Sequence, residues 1–474
     1  MADMSSGLSD LRTGAVVAPA GCGKTHLIAE ALRHHEAAKP VLVLTHTNAG
    51  VAALRSRLDR AGVVSSRYRL ATIDGWALRL LSTFPKRSGV SDEVLRVERP
   101  SQHYPRLRRL TVDLLAEKHL DDILAASYDR LVVDEYQDCN VRQHEIVVHL
   151  SRILSTVILG DPMQAIFTFG GSMPDWQDEV LTHFPLAAQL DIPWRWRNAG
   201  TEDFGQWLLN ARQALEAGHQ IDLRAAPPEV TWVHLDGSED RARQIIAAKT
   251  KATMDGGAVL VIGDARNPAS QQRLAAQIPG AVTVEAVTLG DLTDFASGLD
   301  FDEPDALRMV VEFADRVMAG VGPEEFLQRI AALMEGTPET RSTMVEQAAL
   351  QFVEDPNPKG AAALLGAIGA QAGVREHRPT VLRACLQALQ ACALTPGLSF
   401  EDAAIAARER GRLLGRPLPA RAVGSTLLLK GLEADVAVIL DADGLDGAKN
   451  LYVAMTRGAR RLVICSKSPV LSPH

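Results

Sequence analysis

A loop near the start of the chain carries the residue types needed to bind a polyphosphate. Its sequence is APAGCGKT, residues 18–25, and it joins a short apolar run to an amphipathic segment. Gly21 and Gly23 allow successive backbone N–H groups to turn toward a phosphate, and a helix N-terminus adds the positive end of its dipole. Lys24 can reach the terminal phosphates, and the Thr25 hydroxyl can ligate Mg²⁺. The pattern therefore predicts a site for a polyphosphate and Mg²⁺.

Two carboxylates follow a second apolar run, at residues 131–133. They are Asp134 and Glu135. Because ligands of parallel sheets bind beyond the carboxyl ends of the strands, we expect both side chains beside the phosphate loop. One carboxylate can hold Mg²⁺ and the other can orient or deprotonate the attacking water. A DE pair also occurs as an ordinary helix cap, but the phosphate loop favours the catalytic interpretation.

A third apolar run, at residues 156–159, leads into the segment GDPMQAIFTF. Gln164 in this segment is a candidate sensor of the γ-phosphate. Phe167 and Phe169 lie two residues apart, so in an extended segment they point the same way. They can then stack on bases or pack into a core.

Short apolar strands that alternate with helical stretches are expected to position these side chains. This alternation predicts parallel α/β layers. The predicted strands are 15–18, 41–45, 130–134, 156–159 and 187–191, then 230–234, 258–263, 282–287, 425–429, 436–441 and 462–466. Helical patterns interrupt the two sets at about 82–125 and 290–415.

Composition narrows the class of protein. The 474 residues predict two to four domains. A net charge of −8 gives no global basic field, so nucleic acid would have to bind a local patch. The five cysteines form no CxxC pair, and no apolar run approaches the ~20 residues of a membrane span. We therefore expect a cytoplasmic protein that makes no contact with a membrane.

Eight segments, taken together, resemble superfamily 1 helicases of the UvrD/Rep/PcrA kind. In chain order they are APAGCGKT, LTHTNAGVAALRSRL, TIDGWALRLL, VVDEYQD, LGDPMQAIFTF, PWRWRN, TLLLKGLEADVAV and NLYVAMTRGARRL. The resemblance implies an α/β fold with two RecA-like parallel-sheet P-loop domains, each with a helical insertion. It divides the chain into a first domain (1–81 and 126–192) with insertion 82–125, and a second domain (193–289 and 416–474) with a reduced all-helical insertion at 290–415.

The resemblance also implies roles at the nucleotide. The implied catalytic residues are Lys24, Glu135, Gln164, Arg195 and Arg457. The implied metal ligands are Thr25 and Asp134. The residues implied to bind ATP are Ala20, Gly21, Cys22, Gly23, Lys24, Thr25, His26, Trp194 and Glu433. Trp194 would stack on adenine and Glu433 would contact the ribose. Arg195 and Arg457 would come from the second domain and neutralise charge on the γ-phosphate. Arg197 could replace Arg195 if the register differs by two residues.

The thiol of Cys22 lies near Lys24 and a helix N-terminus. Both features lower the pKa of a cysteine, so we expect a reactive thiolate that maleimide modifies and Mg·ATP protects.

A second implied set would contact single-stranded DNA. It comprises Thr45, His46, Thr47, Asn48, Thr72, Trp76, Phe167 and Phe169. Short donors for phosphates and flat rings for bases suit binding without sequence preference. Trp76 and Phe167 could instead belong to the core. Asp74 stands where relatives carry His, and Gly170 replaces an arginine, so DNA contacts are expected to differ from those of relatives.

The resemblance predicts an ATP-dependent translocase and helicase on single-stranded or tailed DNA, of 3′→5′ polarity, with ATP hydrolysed between the two domains. An alternative is a DNA-activated ATPase that acts as a sensor subunit, for example beside a nuclease in an anti-phage defence complex. A plain P-loop ATPase without a DNA role would leave PWRWRN and YVAMTR unexplained.

Overall fold

The computed structural model describes residue 8 and residues 11–97, 99–167, 171–286, 289–336, 341–411 and 419–472. The chain divides into two compact units. The first comprises Met1–Thr231, Leu445–Arg460 and Ser468–His474, and the second comprises Trp232–Gly444 and Arg461–Lys467. Residues 193–231 and 445–460, which the sequence assigned to a second domain, thus group with the first unit. The division into domains and insertions stays a prediction.

A six-stranded parallel sheet forms the centre of the first unit. Its strands are β1 (Thr13–Val17), β2 (Val41–Thr45), β3 (Tyr68–Thr72), β4 (Arg130–Val133), β5 (Ser155–Gly160) and β6 (Leu186–Gln189). They lie in the order β3-β2-β4-β5-β1-β6, with every neighbouring pair parallel. All carboxyl ends therefore meet at one edge. Strand β3 was not predicted from the sequence, because this edge strand mixes polar and apolar residues. The next two strands in the sheet, β2 and β4, are nearly continuous apolar runs.

Helices cover both faces of this sheet. The helices of residues 24–216 are α1 (Lys24–Arg33), α2 (Asn48–Arg60), α3 (Ile73–Thr83), α4 (Pro85–Ser88), α5 (Asp92–Arg96), α6 (Pro100–Ala116), α7 (Asp121–Ser127), α8 (Val141–Ser151), α9 (Leu181–His183), α10 (Trp194–Ala199) and α11 (Glu202–Glu216). Alternate residues of β2 face opposite cores: Leu42 and Leu44 pack in one with α3 and α6, and Val41 and Val43 pack in the other with α1 and α2. A short antiparallel pair, β7 (Ile221–Asp222) with a C-terminal strand (Val470–Leu471), lies outside this sheet.

A second six-stranded sheet confirms the predicted α/β class with two RecA-like layers. Its strands are β8 (Val230–His234), β9 (Val259–Ile262), β10 (Ala281–Thr283), β13 (Arg421–Gly424), β14 (Ala434–Ile439) and β15 (Gly458–Ser466). Their order is β10-β13-β9-β14-β15-β8, and β13 and β14 both pair in parallel with β9. The prediction of a strand at 425–429 is wrong. The strand ends at Gly424, and the Ser425 hydroxyl accepts a hydrogen bond from Leu428 N, which caps a helical turn instead.

The remaining helices include those of the long insertion. They are α12 (Asp240–Ala248), α13 (Pro268–Gln277), α14 (Gly290–Gly298), α15 (Ala306–Val317), α16 (Pro323–Met334), α17 (Met344–Glu354), α18 (Pro358–Gly369), α19 (Pro379–Leu394), α20 (Phe400–Gly411), α21 (Thr426–Leu429) and α22 (Gly447–Met455). The insertion, predicted as all-helical, also contains the antiparallel pair β11 (Met318–Ala319) and β12 (Arg375–Glu376). Within the part of the chain that the structure describes, no helix combines the length and apolar character needed to cross a membrane.

Candidate nucleotide and nucleic-acid site

The phosphate loop fills the turn between β1 and α1. Gly21 and Gly23 adopt φ of 72° and 88°, in the left-handed region that favours glycine, and Gly23 caps α1. A side chain at Gly21 would also collide with the ring of Trp196. Backbone conformation and space therefore both require glycine at this position, and α1 begins at Lys24 as a phosphate loop needs.

Lys24 meets two carboxylates at the carboxyl edge of the first sheet. Its Nζ lies 3.1 Å from Asp134 Oδ1 and 2.6 Å from Glu135 Oε1. Asp134 directly follows β4, two strands away from β1, and Glu135 adopts a left-handed φ of 54°. A non-glycine residue in that region is strained, and such strain often marks a functional position. The structure thus brings together one cation and two carboxylates that the sequence separates by more than a hundred residues.

The charge state of this cluster follows from its surroundings. Burial opposes charge on Lys24, but Asp134 and Glu135 outweigh it and raise the pKa of the lysine. Burial raises the pKa of Asp134 above its usual range, although the Lys24 ammonium opposes that shift. Lys24 is therefore charged at neutral pH, and a phosphate can replace the carboxylates as its partner.

Two glutamines connect Glu135 to the end of the neighbouring strand β5. Gln137 donates from Nε2 to Glu135 Oε2 at 2.6 Å, and its Oε1 accepts from the backbone N–H of Asp161 at 3.1 Å. Gln164 donates from Nε2 to Asp161 Oδ2 at 3.0 Å. Glu135, the predicted catalytic carboxylate, and Gln164, the predicted γ-phosphate sensor, thus belong to one hydrogen-bonded network.

The residues present fit a Mg²⁺ ion bound together with a nucleotide. Thr25 and Asp134 offer a hydroxyl and a carboxylate, the hard oxygen ligands that Mg²⁺ prefers. Among the described residues, no group of three or more His, Cys, Asp or Glu side chains could hold a metal by itself. Mg²⁺ commonly takes one or two protein ligands and completes its shell with phosphates and water. The Thr25 hydroxyl also accepts a hydrogen bond of 2.9 Å from Arg57 Nη1 of α2.

The expectation of a reactive Cys22 thiolate is wrong. The Cys22 side chain is buried, and burial raises the pKa of this thiol to about 12, with Asp161 adding to the shift. Arg195 and Arg212 oppose it less strongly. The thiol is therefore protonated at neutral pH, because loss of hydration outweighs the nearby positive charges. His26, the next predicted side chain after Thr25, is exposed.

Helix α10, which carries the PWRW segment, packs directly on the phosphate loop. Arg195 N donates to Gly21 O at 3.0 Å, and the exposed Trp194 ring lies against Gly23. The Arg197 guanidinium sits over the Trp194 ring, 5.3 Å from its centroid. Trp194 is thus placed beside the loop, as a base-stacking residue would need to be.

Arg195 and Arg457 both lie in the first unit but have different hydrogen-bond partners. Arg195 Nη1 donates to Thr456 O at 2.6 Å, and its guanidinium lies 5.0 Å from the centroid of the Trp196 ring. Arg457 is buried, donating from Nε to Val453 O at 2.8 Å and from Nη2 to Thr456 Oγ1 at 2.9 Å. Arg457 thus contacts the end of α22, the helix that precedes it.

One further contact and one further residue complete the predicted nucleotide set. The backbone N–H of Ala20 donates to the Tyr452 hydroxyl of α22 at 3.1 Å. Glu433 lies in the second unit, exposed, in the turn before β14. Its predicted contact with the ribose stays a prediction.

The predicted DNA-binding threonines lie at the ends of two adjacent strands. Thr45 and Thr72 are register partners in β2 and β3. The Thr72 side chain caps α3 by accepting from Gly75 N, and Thr47 caps α2 by accepting from Gly50 N. The N-termini of α2 and α3, including the exposed first residue Asn48, therefore follow directly from the same sheet edge.

The predicted aromatic contacts are placed very differently. His46 and Phe167 are half-buried neighbours, with ring centroids 5.7 Å apart at an angle of 44°. Trp76, on the buried face of α3, is 4% exposed and packs in the core, so in this conformation its ring offers no face to a base. Asp74 accepts from both Arg108 and Gln143. Phe169 and Gly170 lie outside the described residues.

Four residues that contact the site were missed from the sequence: Gln137, Tyr452, Arg57 and Arg212, which donates from Nη2 to Asp161 Oδ1 at 2.8 Å. Gln137 and Tyr452 lie inside two of the eight motif segments, but only the contacts in the structure show their hydrogen-bond partners. Arg57 precedes the buried Leu58 of α2, which places it at the rim of the apolar face. Arg212 lies on the apolar face of α11, one helical turn after the buried Leu208. An arginine on an apolar face was the available signal, because a buried cation needs a partner.

Comparison with known proteins adds a family match. Residues 7–170 match the model of an AAA domain family, AAA_19. A comparison with curated protein sequences yields no match. The Pif1 helicase from Candida albicans aligns over 100% of this chain and 97% of its own, at 11% identity and a TM-score of 0.40. Arterivirus nonstructural protein 10, a helicase solved with DNA, aligns over 52% of this chain and about half (47%) of its own length, at 12% identity and a TM-score of 0.27. The matched residues include the phosphate loop, Asp134, Glu135 and Gln164, so this part of the chain is similar to an AAA domain.

Proposed function

We propose that this protein is an ATP-dependent translocase and helicase on single-stranded DNA, of the UvrD/Rep/PcrA kind and of 3′→5′ polarity. The observation that carries the proposal is the contact of Lys24 with Asp134 and Glu135 at the carboxyl edge of the first sheet. A charged lysine held between two carboxylates above a glycine loop is suited to exchange one anionic partner for another. The anionic partner that fits is a nucleoside triphosphate.

Each side chain of the cluster has a distinct part in ATP hydrolysis. Lys24 binds the terminal phosphates, and Thr25 and Asp134 would hold Mg²⁺, which when bound neutralises charge on the phosphates. Glu135, freed from Lys24, orients and deprotonates the attacking water. Gln137 fixes Glu135 through a 2.6 Å hydrogen bond, which keeps the carboxylate aimed during turnover.

Contacts at the neighbouring strand ends support the DNA part of the proposal. Backbone N–H groups at the N-termini of α2 and α3 suit phosphate contacts, because helix N-termini favour anions. The half-buried His46 and Phe167 rings are suited to stacking on bases. Neither kind of contact reads sequence, which is what movement along a strand requires.

One experiment tests both parts. ATP hydrolysis is measured with and without single-stranded DNA, beside displacement of a strand from duplexes carrying a 3′ or a 5′ tail. We expect DNA to stimulate hydrolysis and only the 3′-tailed duplex to be unwound. Hydrolysis that ignores DNA would contradict the DNA role, and unwinding of only the 5′-tailed duplex would contradict the polarity.

A DNA-activated ATPase sensor is a second candidate. It is favoured by Trp76, whose burial leaves one fewer aromatic ring to grip the strand. Such a protein would signal to a bound subunit, for example a nuclease of a defence complex. Stimulation of hydrolysis by DNA without displacement of either duplex would support it over the helicase.

A further inference from the structure

A buried arginine on α11 holds the network that connects the two catalytic motifs. Arg212 donates to Asp161 Oδ1 from Nε at 3.1 Å and from Nη2 at 2.8 Å, and from Nη1 to Glu216 at 2.9 Å. The side chain of Arg212 is 3% exposed and that of Asp161 is fully buried. No motif identified from the sequence includes Arg212, and the nucleotide site described above assigns it no role.

Asp161, the partner of this arginine, is hydrogen-bonded to both glutamines of the network. Its Oδ2 accepts from the Gln164 amide at 3.0 Å, and its backbone N–H donates to Gln137 at 3.1 Å. Gln137 in turn donates to Glu135. The carboxylate also accepts from Met163 N, which fixes the turn that carries Gln164. Arg212 therefore lies one residue away from both glutamines.

We propose that Arg212 is a positioning residue for ATP hydrolysis. It fixes and neutralises Asp161, and through Asp161 it aims the Gln164 amide and the Gln137–Glu135 pair. Without the arginine, the Asp161 carboxylate would have to turn toward other donors. That turn would move Gln164 and loosen Glu135. The proposal rests on the proposed function, because it assigns a role within that reaction.

Breaking one half of a buried ion pair can unfold a protein, so the test replaces both halves. The variant is Asp161→Asn/Arg212→Met, which removes both charges at once. The matched control is Glu285→Gln/Arg378→Met in the second unit, where an equally buried arginine pairs with a carboxylate outside the Asp161 network. Both variants are checked for cooperative melting before any assay.

We expect the Asp161/Arg212 variant to bind ATP within about threefold of the parent but to turn it over roughly tenfold to a hundredfold more slowly, as a displaced catalytic group does. The control variant should keep the parental turnover. In a Gln164→Ala background, the Asp161/Arg212 replacement should add less than it does alone, because both changes act on the same group. Parental turnover in the folded Asp161/Arg212 variant, or full additivity with Gln164→Ala, would overturn the proposal.

A second readout separates this inference from the proposed function. The side-chain amide signals of Gln137 and Gln164 are recorded by ¹⁵N NMR, and assigned with Gln→Ala variants. We expect both signals to shift in the Asp161/Arg212 variant and neither in the control. A parent without ATPase activity would contradict the proposed function. In that case unchanged glutamine signals would still overturn the positioning role.

Discussion

Each compact unit contains a cation between two carboxylates. The two clusters differ in ways that distinguish a ligand site from a fixed structural ion pair. In the first unit Lys24 contacts Asp134 and Glu135. In the second, Arg378 donates to both oxygens of Glu285, at 2.7 and 2.9 Å, and to Asp291. The side chain of Lys24 is 14% exposed and that of Glu135 is 35% exposed, whereas that of Arg378 is 2% exposed.

The chemistry of the two cations explains the difference. A lysine ammonium is a compact charge on a flexible stem, so it can exchange one partner for another. An arginine guanidinium has a planar fork that matches one carboxylate in two bonds, which gives a fixed arrangement. The Arg378 cluster connects the segment after β10 and the start of α14 to the start of α19. We interpret the first cluster as a ligand site. We interpret the second as a clamp, that is, a fixed ion-pair cluster that holds the start of α19 against the start of the helical insertion.

The largest effect is expected from Glu135→Gln, which keeps the shape of the site but removes its base. Turnover of ATP should fall by roughly 10²- to 10⁴-fold, the range for loss of a general base, while ATP binding is retained. The matched change Glu285→Gln in the clamp should leave turnover unchanged. Steady-state ATPase rates and nucleotide titrations measure both, and near-parental hydrolysis by Glu135→Gln would show that the cluster is not catalytic.

The second prediction concerns Arg378→Met, which leaves two carboxylates of the clamp without their cation. The free energy of unfolding should fall by roughly 3–5 kcal/mol, as when one partner of a buried ion pair is removed. Urea unfolding measures this loss. The comparison would fail if Arg378→Met left stability unchanged but lowered turnover, because the clamp would then be part of the active machinery.

Two ring pairs extend the comparison to the DNA contacts. Phe167 and His46 form a half-buried pair in the first unit, whereas Phe295 and Phe313 stack in a buried core of the second, 4.1 Å apart. Phe167→Ala should weaken binding of single-stranded DNA by roughly ten- to a hundredfold, because stacking on a base contributes about 1–3 kcal/mol. Phe313→Ala should lower stability instead.

Fluorescence anisotropy at several salt concentrations measures the DNA affinity. The slope of log affinity against log salt should not change in Phe167→Ala, because no phosphate contact is lost. An unchanged affinity with a lowered melting temperature would place Phe167 in the core.

Each unit also buries a histidine, and these two should behave alike. Burial lowers the pKa of His144 and of His377 to about 4. An unfolded histidine titrates near 6.5, so between pH 6.5 and 4 the unfolded state binds more protons than the folded state. Stability is therefore present above pH 6.5 and is lost as the pH falls, by up to about 1.4 kcal/mol per pH unit for each histidine.

Urea unfolding at pH 7, 6 and 5 tests this prediction. His144→Gln, whose amide can still bond the Tyr136 hydroxyl, should flatten the pH dependence, and His377→Gln should do the same. An unaltered pH dependence in both variants would mean that neither histidine is buried in its neutral form.

The smallest effect is expected at the cysteines. Burial raises the pKa of Cys22 in the phosphate loop, and it also raises that of Cys385 in the insertion core. Both thiols should therefore resist maleimide in the native protein at pH 7.5, with no loss of ATPase activity. Peptide mass spectrometry measures the labelling, and rapid modification of Cys22 that Mg·ATP prevents would restore the thiolate hypothesis.

The sequence by itself determined the local features of this protein. Short, largely apolar runs predicted ten of the strands. The central ones, such as β2 and β9, are buried at every position, and a strand covered on both faces needs apolar residues throughout. Glycines at positions 21 and 23 predicted the phosphate loop, because few other residues tolerate its backbone. The 425–429 segment was misassigned because its apolar leucines suit a strand and a helix equally, and the Ser425 cap decided between them.

Beyond the contact of Lys24 with Asp134 and Glu135, only the tertiary structure decided which side chains meet. Arg212 and Asp161 are 51 residues apart, and Ala20 and Tyr452 are 432 apart, and nothing in local periodicity connects them. The sequence also did not show which side chains are buried. Cys22 has the neighbours of a reactive thiol, but its burial raises the pKa of the thiol instead of lowering it. Trp76 and Phe167 are both aromatic residues in motif segments, yet one is core and the other half-buried. Exposure and long-range partners depend on how whole elements pack, whereas a sequence pattern records only what each element requires by itself.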